Sequence, residues 1–236
     1  MYFIELEGHK ESIELSVSVS HESFSSFPDF PEIDFNYGCY PIHHTIKLLA
    51  STEILREELG YLNLKSELEG KYHYDKSTDE LIIAKISISE FPSEWKETMG
   101  DSWFMWLDAL DGDHAVVGER ADEIEENDLY DDPFLFGNLF YIDRVDVHPL
   151  FRANKTGINL IIYTFRYLIN DTDGMVFLIA KPMQSLLSED KEDFKSSARL
   201  ANYYKKCGFK RVSGSNPKSI LMESKVSNLR KRSVSR

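Results

Sequence analysis

A chain of 236 residues, 42% hydrophobic and 13% aromatic, can bury a sizeable core and is excluded from the disordered class. Its 40 acidic and 27 basic residues leave a formal charge of −13, a field that repels nucleic acid and anionic membranes, favours a cationic partner, and also serves solubility alone. Two distant cysteines (Cys39 and Cys207), no apolar run of ~18 residues and no basic-then-apolar start predict a cytoplasmic protein without disulfide framework, membrane span or signal peptide. Residues 2–6 and 12–19 alternate polar with apolar or β-branched side chains around Gly8-His9-Lys10-Glu11, which predicts a hairpin. Residues 21–41 carry three prolines and six aromatics and read as a loop, either pinned to the core by its rings or walling a substrate pocket. Residues 42–59 read as a helix stopped by Gly60. Residues 62–74 and 80–88 read as strands joined through Asp75-Lys76-Ser77-Thr78-Asp79, the second apolar enough for the middle of a sheet.

After Pro92, the residues Trp95, Met99, Trp103, Trp106 and Leu110 recur at three- and four-residue steps, one face of a helix disturbed near Gly100. That stripe reads as core, or as part of an acceptor pocket. Residues 119–132 are densely acidic and read as a solvated loop or short helix. Then come a strand at 138–147, a helix at 157–170, an apolar strand at 175–180, a polar helix near 195–207 and short strands near 209–213 and 218–223. The order predicts an α/β (α+β) protein in which 138–147 and 175–180 are parallel neighbours, because a helix connects them. The organisation expected is an N-terminal hairpin and aromatic loop over 1–41 packed on the core, a main domain over 42–224, and a frayed basic tail over 225–236. Deleting that tail is expected to leave activity intact.

The joint Val147-His148-Pro149-Leu150-Phe151-Arg152-Ala153-Asn154-Lys155-Thr156-Gly157 carries the chemistry. A helix starting near Gly157 aims unpaired N–H groups and the positive end of its dipole back at the turn, an anion site suited to pyrophosphate. Arg152 would pair with the phosphate and Thr156 would donate its hydroxyl. Some 45 residues on, Ala-Asn-Tyr-Tyr-Lys-Lys-Cys-Gly-Phe (201–209) is a helix bearing tyrosines and ended by Gly208. Together the two stretches resemble the signature motifs of the GNAT acyltransferase superfamily, which read like VHPxYRGKGIG and AxxLYEKLGF. The matches are His148-Pro149, Phe151-Arg152, Gly157, Tyr204, Lys206 and Gly208-Phe209, with an apolar strand between. The resemblance is specific over 138–212.

The resemblance implies a mixed, mostly antiparallel central sheet flanked by helices, whose two central parallel strands splay apart to receive acyl-coenzyme A. Val145 and Val147 would hold the pantetheine arm through their backbone. The turn Arg152, Ala153, Asn154, Lys155, Thr156 and Gly157 would take the pyrophosphate, with Asn202 completing the acetyl-CoA contacts. The acceptor amine, of a small molecule or a protein, would attack the thioester directly, with Tyr204 as the acid for the departing thiolate. An alkyl amine with a pKa of about 10.4 needs a base. Asp143 is preferred over Asp146, which alternation would put on the opposite face; if Asp143 is merely structural, it would form a salt bridge to Arg144 or another neighbour. No metal is expected, since adjacent His43 and His44 make a poor ligand pair. Cys207 is expected to pack under the helix end, Tyr203 to pack, and a homodimer is compatible with the sequence. Ala153 and Lys155 depart from the family's glycines. Either the backbone differs there, or Lys155 turns outward or onto a phosphate. Two readings follow: an acetyl-CoA-dependent N-acetyltransferase, or a GNAT-like fold that binds or regulates without turnover.

Overall fold

The computed structural model describes residues 2–5, 12–15, 17–25, 41–51, 74–75, 80–99, 101–148, 151–152, 155–182 and 190–232. Strands β1 (Tyr2–Glu5) and β2 (Ser12–Leu15) form an antiparallel sheet of their own, as their alternation predicts. The main sheet runs from β3 (Val17–Ser25) through β4 (Ile42–Ser51) to β6 (Glu80–Phe91), with the two-residue β5 (Tyr74–Asp75) paired to β6 off the main path. It continues through β7 (Gly137–Val147), β8 (Asp173–Ala180) and β10 (Ile220–Lys225) to β9 (Lys210–Arg211). Every neighbouring pair is antiparallel except β7 and β8, which are parallel as the intervening helix requires.

The helices are α1 (Lys96–Met99), α2 (Trp103–Asp108), α3 (Gly112–Glu126), α4 (Thr156–Tyr163), α5 (Asp190–Lys205) and α6 (Val226–Arg230). They cover both faces of the sheet, and alternation along β7 and β8 sorts the core into two layers. On one face Phe140, Ile142, Val176 and Leu178 pack with Ile158, Ile161 and Phe165, Ala201 of α5 and Leu229 of α6. On the other, Leu139, Tyr141, Met175 and Phe177 pack with Trp103, Trp106, Val117, Ala121 and Ile124 of α2 and α3. Burying a ring such as Phe165 completely stabilises the fold by roughly 1.5–3 kcal/mol.

Four expectations are corrected. Residues 42–51, read as helix, are strand. Ile42, Ile46 and Leu49 suit a helical face, but the buried line is His44, Ile46, Leu48 and Ala50 at period two. A polar residue sits in that line because His44 Nε2 lies 2.7 Å from Glu90 Oε2, both buried, while His21 Nε2 approaches His44 Nδ1 at 3.1 Å. Residues 21–25, read as loop, extend β3, whose ladder on β4 runs from Val17↔Ala50 to Ser25↔Ile42. The rest of the aromatic stretch, 26–40, the strand expected at 62–73 and the stop at Gly60 lie outside the described residues.

The Trp stripe is not one helix. A 3₁₀ turn (Ser93–Trp95) and α1 precede α2, whose cap Ser102 accepts from the Met105 N–H at 3.0 Å. Asp122 of α3 adds a second cap by accepting from the Trp103 and Phe104 N–H groups at 2.7 and 3.0 Å. The two helices touch so closely at Gly118 that an added Cβ would lie 2.7 Å from the Trp103 carbonyl oxygen. The acidic run belongs in part to α3, which turns Val117, Ala121 and Ile124 inward and its carboxylates mostly outward.

The tail is the fourth correction. Val226 and Leu229 of α6 are buried, and Arg230 donates to the carbonyls of Phe165 and Ile169 at 3.0 Å each and to that of Thr172. Those carbonyls follow α4, which runs on into a π-helical turn (Thr164–Leu168), so the guanidinium satisfies groups a helix end leaves bare. Residues 233–236 lie outside the described residues.

Candidate functional site

The parallel ladder spans only Gly137↔Asp173 to Ile142↔Leu178. Beyond it β7 continues through 143–147 and β8 through 179–180 with no pairing between them among the described residues. The point of parting is marked on β7 by a bulge. The β6–β7 ladder steps from Ile88↔Ile142 to Ser87↔Arg144, so Asp143 is an extra residue.

The bulge overturns one expectation. Val145 and Val147 pack toward α4, so Asp146, paired with Lys85, faces the other way. Asp143 faces that same side, where its Oδ2 accepts from Ser89 Oγ at 2.9 Å and its Oδ1 lies 3.4 Å from His114 Nε2. The inserted residue cancels one step of alternation, so these two carboxylates three apart in sequence share a face. Arg144, one expected partner of a structural Asp143, pairs with Asp146 at 2.5 Å.

His114 was not singled out by sequence. It sits in the first turn of α3, buried, with its Nδ1 2.9 Å from Asp111 Oδ1. Asp111 is also the N-cap of α3 and accepts from the Asp113 and His114 N–H groups at 2.9 Å each. The available signal was Asp111-Gly112-Asp113-His114 ahead of a helical run, a capping pattern. Burial by itself would lower the His114 pKa, but Asp143 and Asp111 outweigh it and hold it above the usual histidine value. Burial would raise the pKa of Asp111, yet the His114 N–H and ring hold it below the usual carboxylate value. Tyr141 lies edge-on to the His114 ring, centroids 4.7 Å apart, and burial together with Asp113, Asp143 and Asp111 pushes its phenol well up.

At the other side of the gap stands the turn into α4. Lys155 is the N-cap at φ 55°, ψ 18°, the left-handed region a glycine would enter freely, and it is exposed. Of the two alternatives for this lysine, a changed backbone does not occur: the chain keeps the glycine-like shape, at a cost of roughly 1–2 kcal/mol, and the side chain turns outward. Gly157 is needed for contact. A Cβ there would lie 3.2 Å from each of Val145 Cγ1, Val147 Cγ2 and the Tyr203 hydroxyl. Tyr203, expected only to pack, accepts from the Ile158 N–H at 3.2 Å. The N–H groups of Thr156 and Gly157 have no acceptor among the described residues.

Other site residues fall out differently. Thr156 is buried, and its hydroxyl donates to the Phe151 carbonyl at 2.9 Å instead of facing the turn. Exposed Arg152 folds back so that Nε donates to the Val147 carbonyl at 3.1 Å. Asn202 is exposed on α5, and Ala153 and Asn154 lie outside the described residues. Tyr204 is buried against Tyr203 and Phe209, and burial, with smaller influences from Tyr203, Cys207 and Asp146, raises its phenol. Cys207 packs, as expected. Its thiol donates to the Tyr204 carbonyl at 3.1 Å, and burial pushes its pKa up to about 12.

Trp103 and Trp106 are 0% and 1% exposed, so they belong to the core and do not wall a pocket. Among the described residues no group of three or more His, Cys, Asp or Glu could hold a metal ion, and no helix is long and apolar enough to cross a membrane. Neither a scan against protein-family models nor a search of curated proteins returned a match to this chain.

Proposed function

We propose that the protein is an acyl-CoA-dependent N-acyltransferase of the GNAT type, transferring acetyl to an amine of a small molecule or protein. The observation that carries this reading is the parting of the parallel pair after Ile142↔Leu178, beside a turn whose Thr156 and Gly157 N–H groups find no acceptor among the described residues. The β7 edge at Val145 and Val147 is suited to an extended pantetheine amide chain, as another strand would be, once Arg152 gives up the Val147 carbonyl it caps. The turn suits pyrophosphate, with Arg152 and Lys155 as exposed cations beside it. Asp143 at the bulge faces the α3 side, open enough to meet an ammonium, and serves as the base. Tyr204 supplies the proton for the thiolate. The acidic surround of Asp111, Asp113, Asp143 and Asp146 favours a cationic acceptor.

A second reading, a fold of this type that binds without turnover, is favoured by Thr156, whose hydroxyl is committed to Phe151. Thermal unfolding with acetyl-CoA, followed by amine acetylation assays, separates them. Binding at 100 times Kd stabilises by about 2.7 kcal/mol. Absence of any shift overturns both; a shift without transfer selects the second.

A further inference from the structure

We propose that His114 is a positioning residue for acceptor deprotonation: it holds the Asp143 carboxylate at the mouth of the strand gap and takes over the proton that Asp143 removes from the acceptor ammonium. This rests on the acyl-transfer reading. The two ring nitrogens are buried and meet the carboxylates by proximity without a formed hydrogen bond: Nδ1 lies 2.9 Å from Asp111 Oδ1 and Nε2 3.4 Å from Asp143 Oδ1, so the tautomer that carries its proton on Nδ1 leaves the Nε2 lone pair to take one from Asp143. His114 is buried and does not itself reach the gap, whereas the Asp143 side chain keeps 30% of its surface exposed. Ser89 pins the second oxygen of Asp143 and is in turn 3.3 Å from His43 Nδ1. The carboxylate is thereby held from two sides with one edge left for a ligand.

The proton bookkeeping closes. The ammonium gives one proton to Asp143, which passes it to Nε2, leaving a neutral amine and an imidazolium held between two carboxylates. The amine lone pair forms the C–N bond, the C–S bond breaks, and the thiolate leaves with the second amine proton delivered through Tyr204. The imidazolium then returns its proton to water.

The titratable groups around His114 are Asp111 before α3, Asp113 on α3, Asp143 and Tyr141 on β7, and Lys181 after β8, which lies 3.7 Å from Asp113; Phe91 of β6 covers the ring without charge. Because the carboxylates hold the imidazolium above the usual histidine range, the base is released only as pH rises through that elevated value.

The test is the pH profile of acetyl transfer from acetyl-CoA to 1,4-diaminobutane, with imidazole NMR titration of the full chain. Wild type is expected to show a rising limb above pH ~6.5 that coincides with the His114 titration. His114→Asn is expected to lose that limb and about 100-fold in kcat while keeping its affinity for acetyl-CoA. Asp111→Asn retains a good N-cap and is expected to move both the limb and the titration to lower pH. A wild-type limb surviving in His114→Asn, or a His114 that titrates like a free histidine, overturns the proposal. So does a chain that binds acetyl-CoA yet transfers to no amine. A chain that does not bind acetyl-CoA defeats the acyl-transfer reading itself.

Discussion

The two halves of β7 are built on opposite principles. From Leu139 to Ile142 the strand is paired on both edges, its side chains alternate between two buried layers, and it runs parallel to β8. From 143 to 147 it keeps one partner, carries Asp143, Arg144 and Asp146, and turns its second edge to a gap. One inserted residue divides them. The lower half is enclosed by two buried layers, whereas the upper half gives up one ladder and, on the proposed reading, opens there for acyl transfer.

The same glycine-to-alanine change should expose that contrast most strongly. At Gly174, φ is +129° and an added Cβ would overlap the Asn138 carbonyl. Gly174→Ala is expected to cost about 3 kcal/mol or more in denaturant unfolding. Gly157→Ala faces side-chain tips at 3.2 Å and should cost about 1 kcal/mol while weakening acetyl-CoA binding. Equal losses at the two sites would break the comparison. Next in size is Tyr204→Phe, expected to lower kcat about 100-fold with Tm nearly unchanged; a wild-type rate in this variant removes Tyr204 as the acid.

A smaller effect is expected from pH. The folded pKa of His114 stands above the reference of 6.5, so its contribution to stability is full below 6.5 and is lost as pH rises through the folded value. Asp111, held below its reference of 3.8, contributes above 3.8 and loses that contribution as pH falls through its folded value. The Tm difference between wild type and His114→Asn should therefore shrink as pH climbs past 6.5; a difference that stays constant would show packing alone. Least of all is Lys155→Gly. Relief of left-handed strain and the entropy gained by the unfolded chain oppose each other, leaving a net change within about 1 kcal/mol, checked by the same unfolding curves.

The sequence made the lower half legible and the upper half only in part. Apolar runs at 138–147 and 175–180 with a helix between them specify a parallel pair with little ambiguity. A bulge leaves no such mark, since one extra residue in a strand looks like ordinary alternation, and so Asp143 and Asp146 were expected on opposite faces. Residues 42–51 were misread because buried His44 hides the period of two. His114 was missed because its partners come from 111 and 143, a long-range match that no local pattern encodes. Tyr203 was passed over because its acceptor role depends on how α5 lies against α4. The turn into α4 was readable because Gly157 and the start of the helix are neighbours in the chain.

Arg230 ties the last described helix to the carbonyls beyond α4, the element whose opposite end forms the turn at Lys155. The helix Val226–Arg230 is thus a clasp on α4 rather than a loose trailer. A protease nick before Val226, or a bulky fusion joined there, is expected to loosen α4 from behind and, on the proposed reading, to weaken acetyl-CoA binding at its other end.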